Sequence, residues 1–226
     1  MKKIAIIVAG GAGNRMQSET PKQFMLLKNL PVLMHSINSF FNYDNNLELR
    51  LVLPESEIEE WQNLCNEFNF NIKHEVFTGG ETRFHSVKNG LNEISSPSII
   101  AIHDGVRPLV SENTISNCFD LAEQQGTAIP VLPVTESIRE VIEEDSFARQ
   151  RTNYRKVQTP QVFQSELLID AYNAGYEEDF TDDASVVEKA GYKIYLAEGN
   201  EENIKITTPL DLVIAKALLE HSQRKS

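Results

Sequence analysis

Short apolar segments alternate with amphipathic ones along the chain, and this pattern limits the possible folds more strongly than any other. Six segments are rich in β-branched residues and end at turn-forming residues, as strands do. They are KIAIIVA at 3–9, LELRLVLP at 47–54, IKHEVFT at 72–78, SIIAIHD at 98–104, TAIPVLPV at 127–134 and YKIYLAEG at 192–199. Strands that alternate with helices form a mostly parallel sheet with helices packed on it, so the predicted fold class is α/β.

Four segments between these strands are predicted to be helices. The segment 56–68 places one apolar stripe at helical spacing, made of Ile58, Trp61, Leu64, Cys65 and Phe68. The segment 112–126 does the same and ends at Gly126, a residue that commonly terminates helices. The other two predicted helices are 82–94, which follows Gly79 and Gly80, and 208–220, which has Pro209 in its first turn.

Residues 134–158 interrupt the alternation of strands and helices. Two strand-like pieces flank an acidic turn at Glu143 to Ser146, which predicts a projecting β-hairpin. An isolated two-stranded hairpin is only marginally stable in water, so this arm is expected to pack on something, such as a second copy of the chain. No repeat or linker divides the rest, and we expect one domain over 1–226.

The composition excludes some partners and locations. The 226 residues carry 21 Lys and Arg against 33 Asp and Glu, a net charge of −12, which disfavours nucleic acid as a partner. Cys65 and Cys118 are too few for a disulfide framework and lack zinc-site spacing, so reduced thiols and a cytoplasmic location are expected. No apolar run is long enough to span a membrane, and the N-terminal run stops at Gly10 without a signal-peptide cleavage pattern.

A glycine-rich stretch, IIVAGGAGNRM at 6–16, follows the first predicted strand. It is not a dinucleotide fingerprint, because the spacing that starts at Gly11 and Gly13 reaches Met16 where a third glycine is required. It is not a Walker loop either, since no Gly-Lys-Ser/Thr follows. A glycine turn at a strand's carboxyl end still suits phosphate binding, with Arg15 and Lys22 as countercharges. The alternative is a tight turn with two solvated cations.

Seven stretches in fixed order carry a family resemblance. AGGAGNRM at 9–16 followed by PKQF at 21–24 resembles the signature of nucleotidyltransferases that join a sugar or polyol phosphate to a nucleoside triphosphate. The others are GGETRFHSV at 79–87, HDGVRP at 103–108, TPQVF at 159–163, TDDAS at 181–185 and NIKIT at 203–207. Together they resemble the 2-C-methyl-D-erythritol 4-phosphate cytidylyltransferases. The resemblance implies a Rossmann-like fold, a homodimer formed through the arm, and a reaction of CTP with methylerythritol phosphate that releases pyrophosphate.

The reacting groups in such a transfer are both anionic, so cations and a metal are expected around them. The resemblance implies that Arg15, Lys22 and Lys205 form a cationic clamp around the α-phosphate and the leaving group. Asp104 ends a predicted strand at the ligand edge of the sheet, where a carboxylate suits Mg²⁺. The alternatives are an exposed lysine at 205 and a turn-capping aspartate at 104. His103 is expected to face the core and to take no part in the chemistry.

The resemblance also implies two sets of binding residues. The nucleotide-binding set is Ala9, Gly10, Gly11, Gly13, Gly80, Glu81, Ser86 and Gly105, with Arg83 in a structural role. The acceptor-binding set is Arg107, Thr159 and Thr181, together with Ser137 and Arg151 from the neighbouring subunit's arm. Ser86 is alternatively a helix-interior serine that bonds its own backbone, and Thr181 is also a good helix N-cap.

Three other functions compete with this hypothesis. A cytidylyltransferase for another polyol phosphate, such as ribitol 5-phosphate, shares the fold, metal and clamp. A non-catalytic nucleotide-binding domain keeps the fold, but it has no need of cations on the reacting phosphate. A nicotinamide oxidoreductase is disfavoured by the incomplete glycine fingerprint.

Overall fold

The computed structural model describes residues 1–10, 20–94 and 97–223, and within these ranges one main β-sheet has helices on both faces. The strands are β1 Lys2–Val8, β2 Leu26–Leu27, β3 Leu30–Pro31, β4 Glu48–Leu53, β5 Glu75–Thr78, β6 Ser98–Asp104, β7 Thr127–Pro133, β8 Ile138–Ile142, β9 Asp145–Arg149, β10 Arg155–Val157, β11 Gln161–Gln164 and β12 Leu196–Glu198. The α-helices are α1 Val32–Tyr43, α2 Glu55–Glu67, α3 Arg83–Gly90, α4 Glu112–Gln125, α5 Ser165–Asn173, α6 Asp183–Lys189 and α7 Pro209–Gln223, and a short 3₁₀ helix covers Arg151–Asn153.

All six predicted strands and all four predicted helices are present, but three helices (α1, α5 and α6) and the strands β2, β3 and β11 were not predicted. The helix α1 has the sequence VLMHSINSFFNY, whose serines and asparagines favour helices only weakly. Its apolar residues are buried against the sheet, so packing stabilises it where propensity does not. The helices α5 and α6 are shorter than α1 and gave too few turns for a periodic signal.

The order of the strands explains where a ligand can bind. In the main sheet the strands lie in the order β10-β7-β11-β6-β1-β4-β5, and β12 pairs with β7. The strand β1 pairs in parallel with β4 on one side and with β6 on the other. Chain connections therefore leave in opposite directions on either side of β1, and such a switch point opens a crevice at the carboxyl ends of the strands. Val8 and Asp104 are paired at this edge.

The core consists of two layers because the inner strands are buried on both faces. Along β1, Ile4 and Ile6 point into the layer covered by α3, α5 and α6, while Ala5 and Ile7 point into the layer covered by α1, α2 and α4. This alternation is the period-two side-chain pattern of a strand. A third, smaller cluster includes Ile206 and packs beneath α7.

The segment after β7 forms the hairpin that the sequence predicts. Strands β8 and β9 pair in antiparallel fashion with each other, and β10 returns to pair with β7. The turn is shorter than predicted, because β9 already begins at Asp145 and Glu143 takes a left-handed backbone conformation at φ 52°. Every residue of β9 is exposed, and Val141 on β8 is 70% exposed. Nothing observed in the fold tests the predicted role of this hairpin in dimerisation.

The length and apolarity of the described helices decide whether any of them could span a membrane. None of the helices within 1–10, 20–94 and 97–223 combines the length and apolarity needed to cross a bilayer.

Capping is predicted to make a measurable contribution to the stability of α4. The Ser111 side chain accepts a hydrogen bond from the Thr114 backbone N–H at 3.1 Å. We expect Ser111→Ala to lower the free energy of unfolding by about 1 kcal/mol in urea titrations. Ser116→Ala on the same helix is the matched control, since its hydroxyl bonds only Asp120 at 3.3 Å on the surface. Equal effects of the two changes would contradict the capping role.

Candidate functional site

A pocket of about 200 Å³ opens at the carboxyl ends of β1 and β6. It is lined by Val8, Ala9, Gly10, Lys22, Gln23, Arg83, Ser86, Asp104, Val106 and Lys205. These residues come from segments far apart in the chain, and the parallel sheet brings them together at the switch point. Lys22, Asp104 and Lys205 thus line one shared cavity. Arg15, Gly11 and Gly13, which the sequence also assigned to this site, lie outside the described residues.

Three cationic side chains surround the carboxylate of Asp104. Its Oδ2 lies 3.1 Å from Lys205 Nζ and 3.2 Å from Arg107 Nε, and its Oδ1 lies 3.6 Å from Arg83 Nε. Burial alone raises the pKa of Asp104, but Arg83, Lys205 and Arg107 outweigh it and hold the pKa well below its usual range. The carboxylate is therefore ionised at any physiological pH.

Asp104 also decides which metal the site suits. Among the described residues, no three His, Cys, Asp or Glu side chains are grouped closely enough to hold a metal ion. A zinc site needs such a set, whereas Mg²⁺ usually takes one or two carboxylates, several waters and substrate phosphates. One ionised carboxylate at the edge of this pocket fits Mg²⁺, which takes its other ligands from water and substrate phosphates.

The neighbouring residue, His103, faces the core as predicted. Its Nδ1 hydrogen-bonds Thr159 Oγ1 at 3.0 Å, and its Nε2 hydrogen-bonds the carbonyl oxygen of Arg107 at 3.0 Å. Burial lowers the pKa of His103 to about 4, and its ring packs edge-on against Phe40. The imidazole is thus neutral and fully engaged in structure.

Arg83 is fixed by a buried carboxylate from α6. Its Nη1 and Nη2 donate to Asp183 Oδ1 and Oδ2 at 2.8 and 2.7 Å, and the Tyr172 hydroxyl donates to Asp183 Oδ1 at 2.6 Å. Asp183 is completely buried. The guanidinium therefore borders the pocket in a single orientation, which agrees with the structural role predicted for it.

The start of α6 corrects one prediction. The N-cap residue is Asp182, whose side chain accepts from the Ser185 backbone N–H at 2.9 Å, and not Thr181. Thr181 lies one residue earlier, with its backbone N–H 3.2 Å from Ser185 Oγ. Asp carries a charge that favours a helix N-terminus, which is why it takes the cap in this TDD sequence. The exposed Thr181 side chain is consequently not used as a cap.

The predicted base-binding residues Gly80, Glu81 and Ser86 lie after β5 and in α3, and of these three Ser86 lines the pocket. Ser86 Oγ accepts a hydrogen bond from Gly80 N at 3.1 Å and donates to the Thr82 carbonyl oxygen at 3.0 Å. Ser86 thus bonds the backbone of its own helix and also lines the pocket, and its role in nucleotide binding stays a prediction. A side chain at Gly80 would clash with His85 Cβ, so only glycine fits there. Glu81 is exposed.

Gly105 also leaves no room for a side chain. A Cβ at this position would lie 2.8 Å from Ala9 Cβ and 2.9 Å from Leu33 Cδ1. Its backbone N–H donates to the Val8 carbonyl oxygen at 2.8 Å, which joins the ends of β1 and β6. The absence of a side chain thus lets the two sides of the crevice approach closely.

A second pocket of about 290 Å³ adjoins the first. It is lined by Arg83, Asp104, Arg107, Val157, Gln158, Thr159, Gln161, Thr181, Asp182 and Lys205. It contains all three acceptor-binding residues that were predicted from within one chain, and it shares Arg83, Asp104 and Lys205 with the first pocket. Thr159 Oγ1 also accepts from the Asp104 backbone N–H at 3.0 Å. The ion cluster around Asp104 is therefore common to both pockets.

Two predicted residues lie away from both pockets within this chain. Ser137 and Arg151 belong to the projecting segment, and neither lines a pocket described above. The Arg151 guanidinium instead donates to the carbonyl oxygen of Thr135 in the same segment.

Sequence analysis missed two buried amides near the site. Gln23 is fully buried, and its Nε2 donates to the Ala9 carbonyl oxygen at 3.1 Å and to Glu57 on α2. Asn203 is also fully buried and donates to the Thr159 carbonyl oxygen at 2.8 Å. Gln23 lies in the PKQF motif next to Lys22, and Asn203 lies in the NIKIT motif two residues before Lys205. Their position near these lysines is the sequence feature that indicates a place close to the site.

Comparison with known proteins decides the family. The family model described as 2-C-methyl-D-erythritol 4-phosphate cytidylyltransferase matches residues 3–221. The chain belongs to this family. A relative of that name from Bacteroides thetaiotaomicron is 52% identical and aligns over 97% of this chain and 100% of its own length. One from Porphyromonas gingivalis is 51% identical over 96% and 98% of the two chains.

Solved structures agree with the family assignment. The crystal structure of the cytidylyltransferase from Thermus thermophilus superposes with a TM-score of 0.79 at 30% identity, covering 97% of this chain and 100% of that one. The sequence-based predictions of family, of α/β fold and of a cytidylyltransferase activity are thereby confirmed. The chain is a nucleotidyltransferase of isoprenoid biosynthesis.

The ion pair of Arg83 with Asp183 is predicted to be important for stability. Removing one partner of a buried pair leaves the other charge uncompensated, so we expect Asp183→Asn to cost about 3 kcal/mol in urea unfolding. The control is Lys189→Ala at the other end of α6, where an exposed pair with Glu177 at 2.8 Å should contribute little to stability because solvent screens it. Losses of similar size in the two variants would show that the buried pair has no special role.

Proposed function

We propose that this chain transfers the cytidylyl group of CTP to 2-C-methyl-D-erythritol 4-phosphate. The products are 4-diphosphocytidyl-2-C-methyl-D-erythritol and pyrophosphate, in the non-mevalonate route to isoprenoid precursors. The observation that carries the proposal is the pair of adjoining pockets that share Arg83, Asp104 and Lys205. Two anionic substrates bound side by side would meet at this cluster.

CTP is assigned to the first pocket. In this proposal the cytosine edge is read by Gly80, Glu81 and Ser86. Buried backbone groups discriminate bases well, because a mismatched base leaves them unpaired. The triphosphate is assigned to Ala9, Gly10, Gly105 and Lys22, with Gly11, Gly13 and Arg15 added on the strength of the motif.

Methylerythritol phosphate is assigned to the second pocket. Arg107 and Thr159 border it and are held rigidly, since the Arg107 guanidinium bonds both Asp104 and the carbonyl oxygen of Asn203 at 2.8 Å. Thr181 has an exposed side chain at the rim of this pocket. A rigid guanidinium suits the recognition of a phosphate group, which would be the acceptor's own.

The proposed chemistry is an in-line attack of the acceptor's phosphate oxygen on the α-phosphorus of CTP. The bond from the α-phosphorus to the bridging oxygen breaks, and pyrophosphate leaves with the electron pair. Lys22, Lys205 and Arg15 would offset the repulsion between the two anions and stabilise the leaving group. A preorganised group of this kind commonly contributes a rate factor of about 10² to 10³.

Asp104 is proposed as the protein ligand of Mg²⁺. Its carboxylate is ionised and borders both pockets, which supports the assignment. When bound, the metal neutralises charge on the substrate phosphates. Lys205 lies 3.1 Å from the same carboxylate and would exchange that contact for one to a phosphate oxygen as the substrates bind.

A homodimer is proposed, in which the segment 134–158 is a dimerisation arm on a single domain over 1–226. Ser137 and Arg151 would complete the acceptor pocket of the partner subunit. The arm exposes apolar side chains that a single chain leaves in water, including Val141, Phe147 and Val157, which are 70%, 47% and 43% exposed. Burial of such groups against a second copy is the usual driving force for association.

A cytoplasmic location is also proposed. Cys65 and Cys118 are both free, and free thiols are typical of proteins in reducing compartments.

The assignment of substrates is tested by following pyrophosphate release. With CTP, Mg²⁺ and methylerythritol phosphate we expect steady turnover, and with ribitol 5-phosphate in its place we expect none. Chelating the metal with EDTA should abolish turnover, and added Mg²⁺ should restore it. Turnover with ribitol phosphate but not with methylerythritol phosphate would overturn the acceptor assignment. If pyrophosphate is not released with either acceptor, a non-catalytic binding domain would be favoured.

The trans arrangement of the arm is predicted to allow complementation between two inactive variants. Lys205→Ala damages the pocket of its own subunit, whereas Arg151→Ala damages the partner's pocket. A mixture of the two, unfolded and refolded together, should form mixed dimers that each contain one intact site. We expect such a mixture to recover about a quarter of the wild-type activity.

The control for complementation is a mixture of Lys205→Ala with Arg107→Ala. Both changes damage the pocket of their own chain, so mixed dimers contain no intact site and should stay inactive. Sedimentation measured in parallel reports whether dimers form. A mixture of Lys205→Ala and Arg151→Ala that stays inactive although dimers form would remove Arg151 from the partner's site.

A further inference from the structure

We propose that Asn203 is a positioning residue for the transfer reaction, and that it acts by holding Lys205 against Asp104. The inference rests on the function proposed above for Lys205. Asn203 is absent from the described linings of both pockets, so its effect would reach the substrates only through another residue.

The backbone around Lys205 has little regular support of its own. Lys205 lies between β12 and α7 in a stretch without helix or strand. Its side chain is long and 42% exposed, so many rotamers are open to it. Two nearby residues differ from it in burial, because Asn203, two positions before Lys205, and Ile206, directly after it, are fully buried. The position of the lysine is therefore determined by how these two neighbours are anchored.

Ile206 provides one anchor and Asn203 the other. The Ile206 backbone N–H donates to the Val106 carbonyl oxygen at 2.9 Å. The side-chain Nδ2 of Asn203 donates to the Thr159 carbonyl oxygen at 2.8 Å. The backbone carbonyl oxygen of Asn203 accepts from Arg107 Nη1 at 2.8 Å.

The partners of Asn203 also hold the other member of the ion pair. Thr159 Oγ1 accepts from the Asp104 backbone N–H at 3.0 Å, and Arg107 Nε lies 3.2 Å from Asp104 Oδ2. Thr159 and Arg107 thus hold both the segment that carries Lys205 and Asp104, the residue that the Lys205 ammonium contacts. Asn203 fixes the distance between them.

The side chain of Asn203 acts through its nitrogen alone. Among the described residues, its Oδ1 has no hydrogen-bond partner although it is buried. Leucine has the same branching as asparagine, with two δ atoms on Cγ, and lacks the donor, so Asn203→Leu removes the side-chain bond to Thr159 without leaving a cavity and eliminates the unpaired oxygen. The variant separates the anchoring role from simple loss of packing.

A double-mutant cycle tests whether Asn203 acts through Lys205. We expect Asn203→Leu to lower kcat by about 10-fold or more, because small displacements of a catalytic group are costly. With Lys205→Ala already present, the same change should lower kcat by less than about 2-fold, since the residue that it positions is gone. KM for CTP and Tm are measured for all four proteins.

A second asparagine in the same segment provides the matched control. Asn200 Nδ2 donates to the Leu109 carbonyl oxygen at 3.0 Å, and its Oδ1 accepts from the Ser111 backbone N–H at 3.1 Å. These contacts tie the segment to the start of α4 and do not involve Asp104 or its partners. Asn200→Leu should therefore lower Tm and leave kcat within about 2-fold of the wild type.

Several outcomes would overturn the inference. One is an equal fold-loss of kcat from Asn203→Leu in both backgrounds, and another is a kcat within about 2-fold of the wild type for Asn203→Leu. If Asn203→Leu does not fold, Asn203→Ala, which also lacks the donor, is taken through the same cycle. Wild-type kcat in Lys205→Ala alone would contradict the proposed function as well as this inference. A strongly reduced but measurable kcat in Lys205→Ala, together with an additive cycle, would contradict the inference only.

Discussion

The carboxylate of Asp104 is the point on which the site depends. A buried carboxylate without partners would be strongly destabilising, and three cations around it are the condition for its ionised state. The same three cations would repel one another without it. One aspartate at the end of β6 therefore holds Arg83, Arg107 and Lys205 within 3.6 Å of its own carboxylate oxygens, and this concentration of positive charge is what the proposed reaction of two phosphates requires.

The chain as a whole is acidic, with a net charge of −12, so the positive charge of this cluster contrasts with the charge of the molecule. An acidic surface disfavours unspecific binding of polyanions, whereas the local positive charge of the cluster would favour the small phosphates of the proposed reaction. Two members of the cluster are fixed by other groups, since Asp183 binds Arg83 and the backbone of Asn203 binds Arg107. The Lys205 side chain is the most exposed of the three, at 42%. The lysine is consequently the member of the cluster with most freedom to move between the carboxylate and a substrate.

Much of this arrangement was predictable from the sequence, and the remainder depended on interactions between distant segments. Period-two strands and glycine turns predicted the α/β fold, and the motif containing Asp104 predicted its place at a strand end. The orientation of His103 followed from simple alternation. The anchoring roles of Asp183 and Asn203 were not predictable, because each depends on a partner between 44 and 100 residues away. Helix α1 was missed for a similar reason, since its stability comes from packing.

The direction of β11 shapes the acceptor side of the cleft. Because β11 runs antiparallel to β6, it is the beginning of β11, and not its end, that lies beside Asp104. Thr159 and Gln161 thus line the second pocket where the chain enters β11 from the arm, while the passage from β11 to α5 lies at the opposite edge of the sheet. Extra residues inserted after β11 would lie at the edge of the sheet opposite to Asp104. A single residue inserted before β11 would pull the arm and the acceptor pocket out of register together.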